Sequence, residues 1–575
     1  MQRAPTTATL LLAWLATSPG AWAAPDAGRL IQQYREDTVE RMKAPAAKLP
    51  SAAASKQEVF RASDEQIHIA GFEVHGVTRF SDEEIAQVLR PYTGRPLDTA
   101  GIHAAADALN HLYRAQGYFL SKVFIPPQAV SDAVRLDVFE GEWDAQGLEI
   151  VNKGHRVDTR VVRAILERNI PQGAPARRAD VERALLLAED LPGVSTASSI
   201  YPGARVGTAR LRTELTDLPA LQGNIDYDNH GSATTGEHRL GTTLYWNSPT
   251  GRGDQITTRL ATTGSRSQYG YINYLLPISP SGTRIGFSAD RLNYDTHYIA
   301  NVGYASGQAS DLRVYLTYPI VRSRHGNLNF RGDVSRLTLK DRNDLQFNAH
   351  RTVDTAVLAL QGDDDHPWLT TGLTTFDMSL TAGQVRIRGN ANFAAADATT
   401  TQTAGGFARL NLDAARLTRL DGHWSVLSKV RAQWASHNLD SSQRFYLGGA
   451  TSVSGYPQGE ASGDMGAEYG VELRRDITAP WHGTLQVGAF VQQGWSRVHK
   501  HAWPGWNAGN HMLKEELSLT SVGINALATV SQDWVARASI GWQLGSNPLR
   551  DPATGAASDQ KTRKLRLWAQ VVRYF

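Results

Sequence analysis

From residue 221 to residue 575 the chain is a succession of short segments in which apolar and polar residues alternate, divided by polar turns. Near the end, Leu485, Val487, Ala489 and Val491 alternate with Gln486, Gly488, Phe490 and Gln492. Successive strand side chains point to opposite faces, so one set can meet lipid and the other a wet interior. The clearest segments are residues 221–227, 239–247, 255–263, 269–275, 312–318, 424–434, 469–473, 484–494, 534–542 and 565–575. Most are near the about 10 residues that a membrane-crossing strand needs. About sixteen segments can be placed, an even number as a closed bacterial barrel requires, and a barrel of that size holds an aqueous lumen. Poor patterning over residues 351–415 leaves that count open by about two.

Ahead of this region one pattern occurs twice. In the first copy residues 67–74 read as a strand. Ser81, Asp82, Glu83 and Glu84 form a capping box that opens a helix with Ile85, Val88 and Leu89 on one face. Asp98 caps a second helix carrying Ile102, Ala106, Leu109, Leu112 and Tyr113, closed by Gly117. Residues 119–125 form a strand stopped by Pro126 and Pro127, and Val134, Leu136 and Val138 alternate with Arg135, Asp137 and Phe139. The second copy has a strand at 148–151 and helices marked by Val161, Val162, Ile165, Leu166 and by Val181, Leu185, Leu186, Leu187. Strands at 194–201 and 209–215 follow, around Pro202 and Gly203. Two tandem β-α-α-β-β modules are predicted, each packing its helices on a small sheet. Residues 26–43 read as a helix whose apolar line (Ile31, Tyr34, Val39, Met42) is too thin to build a core. It fits either a hydrated cavity or a marginal helix in a disordered arm. Residues 44–57, rich in Ala, Pro, Ser and Lys, read as a linker.

Composition narrows the choice. Only 41% of the 575 residues are hydrophobic, and past the N-terminus no run approaches the about 20 apolar residues of a spanning helix. A membrane protein of this profile must be a barrel; the alternative is a soluble all-β protein, which the 15 Phe, 14 Trp and 19 Tyr also suit. The N-terminus favours export: Arg3, an apolar run from Ala8 to Ala16, and Ala21-Trp22-Ala23 before Ala24 read as a signal peptide over 1–23. With no cysteine there is no disulfide framework, and Lys+Arg 59 against Asp+Glu 56 is no nucleic-acid footprint.

Catalytic constellations are not apparent. Asp363-Asp364-Asp365-His366 reads as a solvated loop rather than a metal site, and so do His499 and His501 with Lys500 and Trp503. Gly448-Gly449 lacks the Lys-Ser/Thr of a phosphate loop. No catalytic residue, cofactor or metal is assigned.

The order of parts resembles the outer-membrane transporters of two-partner secretion, within the wider family of barrels carrying periplasmic POTRA domains. Tyr227-Asp228-Asn229-His230-Gly231-Ser232 is similar to that family's first barrel strand and turn, and Gly251-Arg252-Gly253-Asp254 to the next periplasmic turn. Phe445-Tyr446-Leu447-Gly448-Gly449, followed by Val453-Ser454-Gly455-Tyr456 and Gly463-Asp464, resembles the long sixth extracellular loop, which folds back into the barrel. At its tip Ser454 stands where the family usually has arginine. In the Phe-x-Asp-x-Gly pattern of the partner strand (Phe490, Gln492, Gly494), Gln492 stands for the aspartate. Losing both charges avoids stranding one in a confined site, and a neutral Ser454–Gln492 contact is expected instead.

The resemblance implies a transmembrane β-barrel of about 16 antiparallel strands preceded by two α+β POTRA domains and an N-terminal helix. The parts are a signal peptide 1–23, a plug-type helix 24–43, a linker 44–66, POTRA domains 67–142 and 143–216, and a barrel 217–575 ending in Phe575 as the barrel-end signal. It implies a pore in the Gram-negative outer membrane that docks a large unfolded exoprotein on its periplasmic modules and exports it. The expected partners are a secreted β-helical adhesin or haemolysin, outer-membrane lipid, and the barrel-assembly machinery that inserts the pore; no nucleic acid is expected. The edge at residues 119–125 and the groove beside the second helix are the expected client site, with Arg114 and Lys122 as contacts. The alternative function is a factor that inserts other barrels.

Overall fold

The computed structural model describes residues 26–42, 66–128, 133–298, 303–344, 348–366, 371–479, 483–507, 514–531 and 533–575, with backbone alone for 37–42. The expected signal peptide, and the linker up to residue 65, lie outside the described residues. Helix α1 spans Ala27–Met42. The first module comprises β1 (Ile67–Ile69), β2 (Gly71–His75), α2 (Asp82–Leu89), β3 (Arg95–Leu97), α3 (Thr99–Ala115), β4 (Lys122–Phe124) and β5 (Ala133–Phe139). Its sheet runs β2-β5-β4, with β2 parallel to β5. The Ser81–Glu84 capping box and the Asp98 cap form as the sequence predicts. The predicted strand at 67–74 is two strands, because Ile67–Ile69 pairs with β3 and Gly71–His75 with β5. The edge strand is shorter than expected: Tyr118 closes a turn on the Tyr113 carbonyl and also bridges to Arg177 of the next module.

The second module comprises β6 (Glu142–Asn152), α4 (Thr159–Asn169), α5 (Arg178–Glu189), β7 (Val194–Pro202) and β8 (Thr208–Asp217), with sheet order β6-β8-β7. β6 starts six residues before the predicted segment. Its register against β8 slips between Trp143 and Leu148, which breaks the period of two that would have revealed it. The modules join without a spacer. Gly141 sits at φ 61°, where a side chain would meet the Leu120 backbone, and its carbonyl accepts the Ala176 N–H at 3.0 Å.

Sixteen antiparallel strands then close into one barrel. They are β9 (Leu221–Asp228), β10 (Arg239–Asn247), β11 (Gln255–Thr262), β12 (Ser267–Pro277), β13 (Arg284–Asp295), β14 (Ala305–Arg322), β15 (Gly326–Asn343), β16 (Asn348–Asp364), β17 (Gly372–Arg388), β18 (Gly405–Arg419) and β19 (Trp424–Ala435), then β22 (Met465–Thr478), β23 (Gly483–Arg497), β24 (Glu516–Val530), β25 (Trp534–Leu544) and β26 (Leu565–Tyr574). The labels β20 (Phe445–Leu447) and β21 (Ala461–Gly463) belong to a small ribbon between β19 and β22, and α6 (Ala391–Thr399) lies between β17 and β18. Every barrel strand pairs with its neighbour in this order, and β26 pairs back onto β9. Strands β14 to β17 run 17 or 18 residues, well past the length lipid demands. Their ends are polar, which is why residues 351–415 show no clean apolar alternation.

The two faces differ as a bilayer requires. Leu240, Leu244, Leu260, Ile272, Leu312 and Val491 are exposed outward, whereas Asp226, Asp228, Arg239, Arg259, Asp290 and Asp311 are buried inside. The second module caps the turn end of the barrel. Asp190 takes two hydrogen bonds from Arg322 at 2.7 and 2.9 Å, Arg183 donates to the Pro319 carbonyl at 2.7 Å, and the Asp158 N–H donates to the Gly251 carbonyl at 2.8 Å. The longer loops lie at the opposite end.

Candidate functional site

Two elements fill the bore. One is the connection from β19 to β22, the sixth loop at the far end from the modules. It turns inward at Gly448 and Gly449, whose φ values of 94° and 111° suit glycine alone. Val453 and Tyr456 are fully buried in a cluster with Phe445, Leu447, Ala461, Val498, Leu517 and Leu519. Between them the Ser454 N–H and Oγ both donate to Gln492 Oε1 at 2.9 Å, and Ser521 Oγ donates to the same oxygen at 3.1 Å. Trp568 Nε1 donates to the Ser454 carbonyl at 2.8 Å. Glycine opposite the tip is a steric need: a Cβ on Gly541 would lie 2.5 Å from Ser454, and one on Gly494 would lie 2.5 Å from Leu447. Gln492 thus gathers three donors on one neutral oxygen, in direct contact with Ser454. Phe490 lies on the same inner face, packed where Gly523 leaves room.

The loop has further anchors to which the sequence assigned no role. Ser452 Oγ donates to Glu468 at 2.8 Å, and Glu468 meets Arg431 at 3.4 Å. Asp464, without exposed surface, pairs with Arg444 at 3.3 Å and accepts the Leu439 and Lys500 N–H groups. Asp464 stood in the Gly463-Asp464 part of the motif but without a partner; Glu468 and Arg431 carried no signal. His499 corrects the reading as a surface residue: it is 1% exposed, against Trp503 and Trp506, with Nδ1 3.0 Å from Glu515. His501 is exposed. Asp363 and Asp364 end β16, His366 folds onto Asp364, and no cluster suited to a metal ion occurs among the described residues.

The second element is α1, which lies inside the barrel. The Ala27 N–H donates to Asp341 near the loop end of β15 at 2.9 Å, while Arg35 pairs with mid-strand Asp290 and Asp311 at 2.7 and 2.8 Å. The helix therefore runs down the bore toward the modules. Tyr34 stacks on Tyr269, with ring centroids 4.9 Å apart. The reading of its apolar line as too thin to build a core needs correcting: Ala27, Leu30, Ile31 and Tyr34 are buried against apolar wall residues including Leu292, Leu337, Leu339 and Val353, so the cavity it occupies is partly apolar. Val39 and Met42 lie outside the described side chains. The sixth loop holds the other side of the helix, with Ser441 Oγ donating to Asp26 at 2.6 Å and Gln32 Nε2 to the Arg444 carbonyl at 3.2 Å.

The closed barrel thus holds both an inward loop and an internal helix. Residues 67–141 match the ShlB-type POTRA domain, and residues 207–510, more than half the chain, match the family of the haemolysin secretion/activation protein ShlB/FhaC/HecB. The chain belongs to that family. Among individual relatives, it is 23% identical to the heme/hemopexin transporter protein HuxB of Haemophilus influenzae (strain 86-028NP), over 93% of this chain and 94% of the relative. It is 24% identical to the outer membrane transporter CdiB of Escherichia coli O6:K15:H31 (strain 536 / UPEC), over 80% and 79%. The solved structure of CdiB from Escherichia coli superposes with a TM-score of 0.71 at 19% identity, covering 96% of this chain and 99% of that one, which shows the shared fold. An outer-membrane barrel with its modules in the periplasm follows.

In this transporter Arg114 and Lys122 are exposed, on the last turn of α3 and on β4, and neither forms an ion pair among the described residues. Leu109 and Val123 are core. The groove between β4 and α3 is partly closed: Asn110, buried in it, accepts the Val123 N–H at 2.8 Å and donates toward the Val123 carbonyl at 3.5 Å. A side-chain amide thus takes both main-chain groups that an added strand would use. At the end of β5, Glu140 binds the 76–81 turn. It accepts the Thr78 and Arg79 N–H groups at 2.7 and 3.0 Å, the Tyr113 hydroxyl at 2.9 Å, and the Thr78 hydroxyl. Partial burial pushes its pKa up, but these hydrogen bonds outweigh it and the net shift is downward.

Proposed function

We propose that this transporter takes its exoprotein, in unfolded form, through the two modules and passes it along the barrel after α1 leaves the bore and the sixth loop rearranges. Export of a secreted partner is the activity of the family; docking on the modules, and a β-helical adhesin or haemolysin as client, are the finer reading. A single observation carries it: a closed sixteen-strand barrel holds a helix and an inward loop in its interior, both fixed by side-chain contacts. Arg114 and Lys122 are proposed client contacts at the α3–β4 edge, where a strand can add only by displacing Asn110. Lipid around the outward apolar face, and help from the assembly machinery in inserting the barrel, complete the reading. The drive is folding of the client outside, which prevents its return.

The test is secretion of the partner by cells carrying the intact chain or one lacking residues 67–141. Loss of secretion with the barrel still present and heat-modifiable on a gel is expected. Unchanged secretion would remove the docking role.

A further inference from the structure

The outward face of the barrel changes character along β13 to β17. Toward the modules its ladder rows are apolar, and the last of them joins Phe287, Val314, Val334, Ala356 and Ala382. The next four outward rows, toward the loop end, carry Arg291, Arg336, Lys340, Arg342, Arg386 and Arg388. Two carboxylates share those rows, Asp295 and Asp354. Asp354 lies between two guanidiniums: Arg336 donates to it at 2.6 and 3.1 Å, and Arg386 donates to it as well. Arg291 rests on the Gln308 amide, and Arg342 donates to Ser306 Oγ at 2.8 Å. Arg291, Lys340, Arg342 and Arg388 are exposed and form no ion pair among the described residues. Beyond these rows, Asp344 accepts the Tyr304 N–H at 3.0 Å.

The basic face is one-sided. Across the barrel, β25 and β26 turn Ile540, Trp542, Leu544, Leu565 and Leu567 outward at the same end. Like charges on adjacent strands repel, and a cation facing lipid is tolerated only near the interface. The cluster begins where the apolar rows stop, so it stands where acyl chains give way to headgroups. In the outer leaflet of a Gram-negative outer membrane those headgroups belong to lipopolysaccharide, a glycolipid whose sugars carry phosphates. Neighbouring strands are about 4.8 Å apart and alternate residues about 6.6 Å, so several cations reach one headgroup. Guanidinium groups bind phosphate through paired N–H donors, and an ammonium binds it as a point charge. A soluble anion would have no use for apolar rows beneath the cations, whereas an acylated one engages both.

We propose that the outward face of β13–β17 is a binding site for lipopolysaccharide, with acyl chains on the apolar rows and phosphates held by Lys340, Arg342 and Arg388. The proposal rests on the outer-membrane location of the barrel and is independent of the export reading.

The experiment is native mass spectrometry of the full chain in detergent with added rough-type lipopolysaccharide. The intact chain should retain the glycolipid. The triple variant Lys340→Gln, Arg342→Gln, Arg388→Gln should bind it about tenfold more weakly or less, since each cation near an anionic surface contributes about a factor of five. The control variant Arg475→Gln, Arg573→Gln removes outward cations at the module end, where they lie over Trp424 and Trp534, and should bind as the intact chain does. Heat-modifiable migration on a gel reports that each variant is folded. A second arm needs no variant: dephosphorylated glycolipid and phosphatidylglycerol should each bind the intact chain about tenfold more weakly, and inorganic phosphate in millimolar excess should leave the complex intact. Undiminished binding by the triple variant, equal loss in the control variant, or equal binding of either comparison lipid would overturn the site. Displacement by inorganic phosphate would reduce it to a simple anion site, and preference for an acidic peptide over the glycolipid would assign the face to a protein; either result overturns the proposal.

Discussion

At the residue scale, the loop tip shows how a charge pair can be replaced. Gln492 serves the Ser454 N–H, Ser454 Oγ and Ser521 Oγ with one oxygen. Gln492→Leu leaves these buried donors unpaired, at about 1–3 kcal/mol for each desolvated group. The loop should then become sensitive to added protease, and partner secretion should fall. Ser454→Arg alone places an unpartnered charge beside Trp568 and should be worse; adding Gln492→Asp should recover secretion in a double-mutant cycle. Failure of the second change to rescue the first would show that the tip now depends on its neutral geometry. At Glu140 the prediction concerns pH. Its folded pKa lies below the unfolded carboxyl value of about 4.3, so its stabilisation is complete above that value and fades as pH falls through the lower one. Hydrogen exchange over residues 76–81 should accelerate below about pH 4.3 in the intact chain and lose that dependence in Glu140→Gln.

At the element scale, α1 is the part whose role sequence left most open. Its stripe is thin, and an isolated helix of 16 residues is marginal in water. It persists because the wall supplies the other half of its core and because Asp341, Asp290 and Asp311 meet its backbone and its arginine. Arg35→Ala removes the paired cation from Asp290 and leaves Asp311, nearly without exposure like it, with Arg313 at 3.6 Å alone, a loss of about 3 kcal/mol for a broken buried pair. The expected outcome is a larger open fraction of the idle pore in single-channel recordings and greater uptake of antibiotics by cells. An unchanged conductance would mean that the helix is held by its apolar face and the sixth loop alone. Leu30→Asn tests that apolar face and should act in the same direction.

At the scale of the whole molecule, the second module is clamped to the barrel turns through Asp190 and Arg183, while the first contacts the second directly across Gly141. The first module is therefore joined to the barrel rim through the second, by main-chain hydrogen bonds at Gly141 and mainly side-chain contacts at the barrel turns. Asp190→Ala should loosen that joint by about 1 kcal/mol, since the pair with Arg322 is partly solvated. Faster hydrogen exchange in α5 with an unaltered barrel is the expected signature, and no change would place the clamp in the Arg183 contacts and the Asp158–Gly251 hydrogen bond.

Sequence by itself determined the barrel, its strand number to within about two, and the two modules, whereas the inward loop was implied by resemblance to the family's sixth loop. The barrel and the modules depend on periodicities and capping residues that local geometry imposes: alternation across a pleat, and Ser81 and Asp98 at helix starts. It also paired Ser454 with Gln492, because a motif missing both charges implies two positions that meet. Tertiary structure alone decided the remainder. Strands β16 and β17 lacked alternation because their ends stand clear of lipid, β6 hid behind a slipped register, and His499 is buried against Trp503, Trp506 and Glu515 of its own loop. The position of α1 needed contacts more than 200 residues away along the chain, such as Tyr34 with Ser267. Neither half of that core is amphipathic enough to announce itself: the helix is too polar and the wall is spread over nine strands, β11 to β19. Only closure of the barrel brings the two together.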